Sequence, residues 1–221
     1  GTLREVGDVQ PTQVDLKELS LLADEGLLST QQHPTDSLLI HNYTARCQYA
    51  RAWTPTLLQC RGLITDHEGN VVARPFPKFF NLSEHDPPTV PNGFVPPPIN
   101  WQQGFTCTRK VDGSLGVLYP SSDGPQIATR GSFKSEQAAR ANQMLAALDV
   151  DAVPVGVTVL FEIIYPENRI VVDYGGRECL VFLEAIETAS GTFLSLESQQ
   201  ELAEAIGCEH VEHFPFMTPE A

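Results

Sequence analysis

The chain has 221 residues, with 42% hydrophobic residues, 19% charged residues and a net charge of −14. That length suffices for one substantial domain with a buried core, and the composition is ordinary for a globular protein. No apolar run is long enough to cross a bilayer, and GTLREVGDVQ lacks the basic-then-apolar pattern of a signal peptide.

In chain order, Leu16, Leu19 and Leu22 fall on one face and predict a helix over 12–22, started by Pro11-Thr12 and stopped by Gly26. LLIHNYT, from Leu38, predicts a strand. GLITDHEGNVVARPF, from Gly62, predicts a hairpin turning at Glu68-Gly69-Asn70. Residues 86–98 are proline-rich and predict an extended surface loop. GFTCTRKVDGSLGVLYP predicts two strands around a tight turn at Asp112-Gly113, and IATRGSF another short strand. Residues 135–148 predict a helix capped by Ser135. VTVLFEIIYP, RIVVDY and ECLVFLEAIE predict three β-branched strands, and 197–206 a helix capped at Ser195 and stopped at Gly207. Many strands with interspersed helices, without regular βαβ alternation, indicate an α+β fold built on antiparallel sheet.

Five cysteines stand singly, an odd count without a CxxC pair, which argues against a disulfide framework or a structural zinc site. They read as free thiols in a reducing cytoplasm. The six histidines show no metal-ligand spacing. Ten of the fourteen Lys and Arg residues lie between Arg46 and Arg140, so the middle of an acidic chain could present a basic face.

Lys110-Val111-Asp112-Gly113-Ser114 carries the chemistry. A KxDG string turns up by chance in about one chain in twenty of this length, so alone it describes a surface lysine beside a turn. A lysine can also attack the α-phosphorus of ATP, expel pyrophosphate and keep AMP as a phosphoramide. The amine must then be neutral, which nearby cations and partial desolvation favour. Gly113 would let the backbone approach a nucleotide closely, and Asp112 could hold the ribose or a metal-bound water.

KVDGS resembles the nucleophile motif shared by ATP-dependent ligases and capping enzymes. Its flanks resemble one branch, the phage RNA ligase 1 family: CRGLI (Cys60 to Ile64), ARPFPKFFNLSE (Ala73 to Glu84), RGSFKSEQA (Arg130 to Ala138) and FEIIYPENRIVVDY (Phe161 to Tyr174), in that family's order. The similarity runs from about Tyr43 to about Gly191. It implies a nucleotidyltransferase core, ATP with Mg²⁺ or Mn²⁺, and RNA carrying 5′-phosphate and 3′-hydroxyl ends. Lys110 would be the nucleophile. Arg61 would contact the nucleotide on its sugar–phosphate side, and Lys78 would neutralise the leaving phosphates. Val111, Asp112, Gly113 and Arg130 would line the nucleotide, Arg130 standing where the family commonly has lysine. Glu162 would bind the ribose or, with Asp112, support a metal through water. Tyr43, Phe79 and Lys134 are candidate phosphate or RNA contacts.

The resemblance also implies a later Glu-Gly strand and a KxK strand. Neither follows Gly191, and Lys134 is the last lysine. Residues 1–221 are therefore expected to be the N-terminal part of an RNA ligase nucleotidyltransferase domain, the remaining motifs coming from further chain or another subunit. The implied function is ATP-dependent RNA joining through a lysyl-AMP at Lys110. The alternatives are another covalent nucleotidyltransferase (a DNA ligase or an mRNA capping enzyme) and a non-catalytic nucleotide- or RNA-binding remnant.

Overall fold

A computed structural model describes residues 12–85, 93–172 and 174–217. The first helix, α1 (Leu16–Asp24), starts later than the sequence predicts. Residues 12–14 are held instead by a distant turn, with Val14 N donating to Gly69 O at 2.8 Å and Val71 N to Thr12 O at 3.0 Å. Asp15 then caps the helix, its side chain accepting from Lys17 N at 2.9 Å.

Four strands follow in one antiparallel sheet, β1 (Leu28–Gln32), β2 (Leu38–Tyr43), β3 (Arg61–Asp66) and β4 (Val71–Ala73), in that spatial order. The β3–β4 hairpin is the predicted one, its turn fastened by Asp66 Oδ1 accepting from the amides of Glu68 and Asn70. Between β2 and β3 lie two short helices, α2 (Ala45–Ala50) and α3 (Pro55–Gln59), capped by Thr44 and Thr54. Of the proline-rich stretch, residues 86–92 lie outside the described residues; 93–98 carry no helix or strand.

The larger sheet uses β6 (Ser114–Ser121), β7 (Gly124–Thr129), β8 (Val157–Ile164), β9 (Cys179–Glu187) and β10 (Glu209–His210), in the order β10-β9-β8-β6-β7. All its pairings are antiparallel except the short parallel β10–β9. A separate two-stranded ribbon joins β5 (Phe105–Thr108) to β11 (His213–Met217). Thus the strands on either side of Asp112-Gly113 are present but do not form a hairpin together. β5 takes a partner about a hundred residues away, and residues 109–113 cross from the ribbon to the larger sheet. RIVVDY is not a strand either. Ile170 and Val171 are largely exposed, and the Val171 and Val172 amides donate to the Asp112 side chain, not to a neighbouring strand.

Strand alternation sorts the core into layers. Ile40 and Ile64 of the smaller sheet meet Val117, Tyr119, Ala128 and Leu160 of the larger one, so the two sheets pack face to face. The outer face of the smaller sheet is covered by α1 to α3 through Leu19, Cys47 and Leu57. The outer face of the larger sheet is covered by α4 (Glu136–Leu145) and α5 (Leu196–Ile206) through Ala141, Leu145, Leu202 and Ile206. The buried Arg74, just after β4, ties the sheets at one end, donating to Thr188 O at 3.0 Å and Gln59 Oε1 at 3.3 Å.

Both predicted caps are present: Ser135 accepts from Ala138 N at 3.1 Å, and Ser195 from Ser198 N at 3.1 Å. Ser135→Ala should therefore cost about 1 kcal/mol of stability. Equilibrium urea unfolding measures it, and an unchanged midpoint would refute this accounting for α4.

Candidate active site

The inter-sheet face carries one ionisable exception to its apolar pattern. On β8, Leu160 packs between the sheets, and two residues on, Glu162 points the same way. The β6–β8 register sets Glu162 opposite Leu115, one residue beyond Ser114. The chain just before β6 is therefore brought to this carboxyl. Burial raises the Glu162 pKa to about 7, opposed by Lys110, by a hydrogen bond from the Gly113 amide and by Arg61. A carboxyl half-way to neutral at physiological pH, facing an amine and a guanidinium, is a typical perturbed site group.

Arg61 opens β3, next to Gly62, whose φ is +94°. A side chain at Gly62 would also press on Arg130 Cα, 3.2 Å from an added Cβ. This glycine therefore permits the start of β3 to approach the turn after β7 on the other sheet. Across that approach Arg130 donates to the Tyr43 hydroxyl at 3.1 Å and lies over the same ring, 5.2 Å from its centroid. Burial lowers the Arg61 pKa, Tyr43 opposes this, and Arg130 adds repulsion. Phe79 lies beneath Arg61, 4.7 Å from guanidinium carbon to ring centroid. Two guanidiniums close enough to repel, steadied by aromatic faces, make a place that favours an anion.

Lys78 lies along the same wall, its amine 4.9 Å from the Phe80 ring centroid, 5.5 Å from Trp53 and 6.0 Å from Tyr43. It lines a cavity of about 170 Å³ with Arg51, Trp53, Phe79, Phe80 and Glu84. This cavity adjoins the Arg61 side through Phe79, and Lys110 is not part of its lining. Arg51 is already engaged there by Glu84 at 3.1 Å and by the Phe94 carbonyl.

Lys110 itself is exposed, on a strandless segment, and its charge lowers the pKa of both Glu162 and Asp112. Asp112 Oδ2 accepts from Val171 N at 2.6 Å and Val172 N at 2.8 Å, which hold its pKa down. Lys134 is exposed, and its amide donates locally to Ser132 Oγ at 3.1 Å. The basic middle of the chain is thus divided. Arg61, Lys78 and Arg130 converge around Tyr43, whereas Arg109 pairs with Glu212 at 2.9 Å and Arg140 with Glu178 and Glu167.

Among the described residues no three His, Cys, Asp or Glu gather as a metal-ligand group. Asp112 and Glu162 are two carboxylates near one amine, and magnesium commonly uses only one or two protein carboxylates beside water and phosphate oxygens. This donor set fits a metal held mainly by a bound nucleotide and water. Sequence reasoning did not nominate Trp53, Asn168 or Tyr174, which the structure brings to this face. The latter two stood only as letters within the FEIIYPENRIVVDY string.

A family model described as RNA ligase matches residues 59–221. The chain belongs to the RNA ligase family. A Thermovibrio ammonificans protein named "Putative RNA ligase" is 31% identical over 158 residues, 67% of this chain and 39% of that protein. The fold of this RNA ligase family member is shared with an archaeal ATP-dependent RNA ligase (TM-score 0.61, 15% identity, 92% of this chain and 51% of that one). It is shared equally with an Aquifex aeolicus protein named "Putative ATP-dependent DNA ligase" (TM-score 0.63, 16% identity, the same coverages). The α+β core therefore has the fold of these two ligase structures. The chain spans about half the length of these two structures and less of the curated relative. Among the described residues no helix is long and apolar enough to cross a membrane.

The raised Glu162 pKa has a measurable consequence. Below about pH 4.5 the carboxyl is protonated whether folded or unfolded, and its burial is uncontested. As pH rises toward 7 the unfolded chain releases the proton first, so the wild type loses stability through that window. Glu162→Gln removes the linkage. The stability difference between variant and wild type should grow in the variant's favour from pH 5 to pH 8. Urea unfolding across pH reads it; a difference that does not vary with pH would contradict the burial argument.

Proposed function

We propose that residues 1–221 form the adenylyl-transfer part of an ATP-dependent RNA ligase, with Lys110 as the nucleophile. The observation that carries the reading is the convergence on Glu162 of one amine, Lys110, and one guanidinium, Arg61, with Arg130 beside it on Tyr43. An amine facing a carboxyl that titrates near neutrality has a proton acceptor, and the flanking guanidiniums receive phosphate charge.

The reaction balances in three steps. The neutral Lys110 amine donates its lone pair to the α-phosphorus of ATP, a P–N bond forms, and pyrophosphate leaves with the electrons of the broken P–O bond. An RNA 5′-phosphate then displaces the lysine, taking AMP through a new phosphoanhydride. The 3′-hydroxyl of a second end attacks the 5′-phosphate, and AMP departs. Arg61 and Arg130 hold the sugar–phosphate side of the nucleotide, and Lys78 lies toward the departing phosphates. Val111 and Gly113 bring backbone to the nucleotide, and Tyr43 and Phe79 steady the guanidiniums. Lys134 remains a candidate for RNA phosphate. Asp112 and Glu162 would hold a divalent ion, Mg²⁺ or Mn²⁺, which would supply further charge neutralisation on the phosphates. The setting is intracellular, in keeping with five free cysteines. The Glu-Gly and KxK strands of the family come from the remainder of the full-length product or a second subunit.

The test is intact mass spectrometry of the full-length gene product after incubation with ATP and Mg²⁺. A mass gain of one AMP, lost in acid, is expected. Binding of ATP or RNA without any covalent gain would replace this reading by a non-catalytic binding module, and a gain with GTP instead would move it to capping chemistry.

A further inference from the structure

The Lys110 segment belongs to no strand, yet it is fastened from one side by a single stretch of chain. After β8 the backbone does not continue as sheet; residues 165–172 and Tyr174 fold back over residues 110–114. The Asp112 amide donates to the Tyr174 hydroxyl at 2.9 Å. Asp112 Oδ2 takes the Val171 and Val172 amides at 2.6 and 2.8 Å. Asn168 Nδ2 donates both to Ser114 Oγ at 2.9 Å and to the Ile163 carbonyl at 3.1 Å. On the other side, the Arg109 amide donates to Glu212 O at 2.9 Å. Lys110 and Val111 are thus the span between two anchors. Three exposed apolar residues in a row, Ile170 to Val172, would gain nothing from this course by burial; polar fastening to the Lys110 segment is what the fold-back accomplishes.

We propose that Tyr174 and Asn168 are positioning residues that hold the Lys110 segment in the geometry needed for attack, and that Asp112 serves chiefly as the other half of this clasp. The proposal rests on the reading of Lys110 as the nucleophile. In-line attack needs the amine within about 3–3.5 Å of phosphorus and aligned with the leaving oxygen. An exposed lysine on unpaired backbone has many orientations, and each one lost before ATP arrives lowers the barrier. Tyr174 and Asn168 touch neither reacting atom; they act through the Asp112 amide, Ser114 and the Ile163 carbonyl. Two amides fall on Asp112 Oδ2, and the Ile170 amide adds to the hold on this carboxylate.

Tyr174→Phe removes one hydroxyl and leaves the ring. Amide hydrogen exchange on the full-length gene product reads the clasp without any reaction. Protection of the Asp112 amide should fall at least about tenfold in the variant. In the same protein, single-turnover adenylylation should slow about tenfold, with the KM for ATP within about twofold of wild type. Unchanged exchange at Asp112 overturns the clasp. Lost protection with an unchanged rate, or with the whole effect in KM, overturns the positioning role. If Tyr174→Phe does not fold, Asn168→Asp serves in its place, because it keeps the oxygen that accepts from Ser114 Oγ at 3.1 Å and loses the donor to Ser114 Oγ and Ile163 O; the same criteria then apply to the Asp112 amide and to the rate. A wild type that forms no adduct refutes the nucleophile reading and the positioning role with it, while exchange still decides whether the clasp exists.

Discussion

Lys110→Arg in the full-length gene product is expected to abolish the AMP adduct, a loss of at least about 10³-fold in adenylylation, while leaving the unfolding midpoint unchanged. Arginine keeps the positive charge and much of the length, but its guanidinium stays protonated and has no lone pair to offer phosphorus. Lys110 is exposed and its segment is held by its neighbours' backbone and by Asp112, so the fold should not register the exchange beyond about 0.5 kcal/mol. Intact mass with ATP and Mg²⁺ reads the adduct, and urea unfolding reads the fold. The chain holds three other lysines, Lys17, Lys78 and Lys134. A wild-type level of adduct in the variant would transfer the role to one of them, and Lys78, in its aromatic surround, would be the first to examine.

What separates Lys110 from Lys78 is the company each keeps. Lys78 sits against three aromatic rings, whose faces attract its ammonium group and hold it in place. Lys110 faces Glu162, whose own burial makes it able to exchange a proton near neutral pH. A fixed cation suits the stabilisation of departing phosphates, and an amine beside a titrating carboxyl suits attack. On the proposed reading the two lysines would divide the work, Lys110 attacking and Lys78 receiving the departing charge.

The parts of the fold that could be read from the residues are those whose hydrogen bonds stay local. Ser135 and Ser195 announce α4 and α5 because a cap is a contact between near neighbours. The β3–β4 hairpin is legible because Asp66 closes its turn within four residues. β8 and β9 are long β-branched runs buried on both faces, and nothing competes for them. Legibility fails where the partner is remote. RIVVDY has strand composition, but its amides are claimed by a side chain some sixty residues earlier, so it becomes a clasp. β5 looks like half of a hairpin with β6 because β11, its actual partner, is short and far away. β1, LSTQQ, is an edge strand with four exposed residues, and its polar letters carry no alternation. At the site, family strings nominate Lys110, Arg61, Arg130 and Glu162; Arg61 opens β3, Arg130 follows β7, Glu162 is on β8, and Lys110 is on the segment before β6. Asn168 and Tyr174 carry no such signal, because each is defined by a bond to the Lys110 segment that only the folded chain contains.

Gly113→Ala tests the most crowded point of that segment. A Cβ on Gly113 would fall on the Ile163 carbonyl oxygen, well inside van der Waals contact, and would lie 3.2 Å from Glu162 Cγ. Neither neighbour can yield freely. Ile163 is fully buried in β8, and its carbonyl also receives Asn168 Nδ2. Glu162 is held by the Gly113 amide. The segment itself must lift, which separates Lys110 from Glu162 and strains the bonds to Tyr174 and Asn168. Overpacking of this kind typically costs about 1–3 kcal/mol of stability, and a displacement of about 1 Å at a reacting group can cost about 10²-fold in rate. Gly113→Ala should therefore show what Lys110→Arg does not: a lowered unfolding midpoint together with adenylylation slowed about a hundredfold. Urea unfolding and single-turnover mass spectrometry measure the two. Wild-type adenylylation in this variant would mean that the close seat of residue 113 against β8 does not set the position of the amine, and the convergence on Glu162 would then lose its mechanical basis.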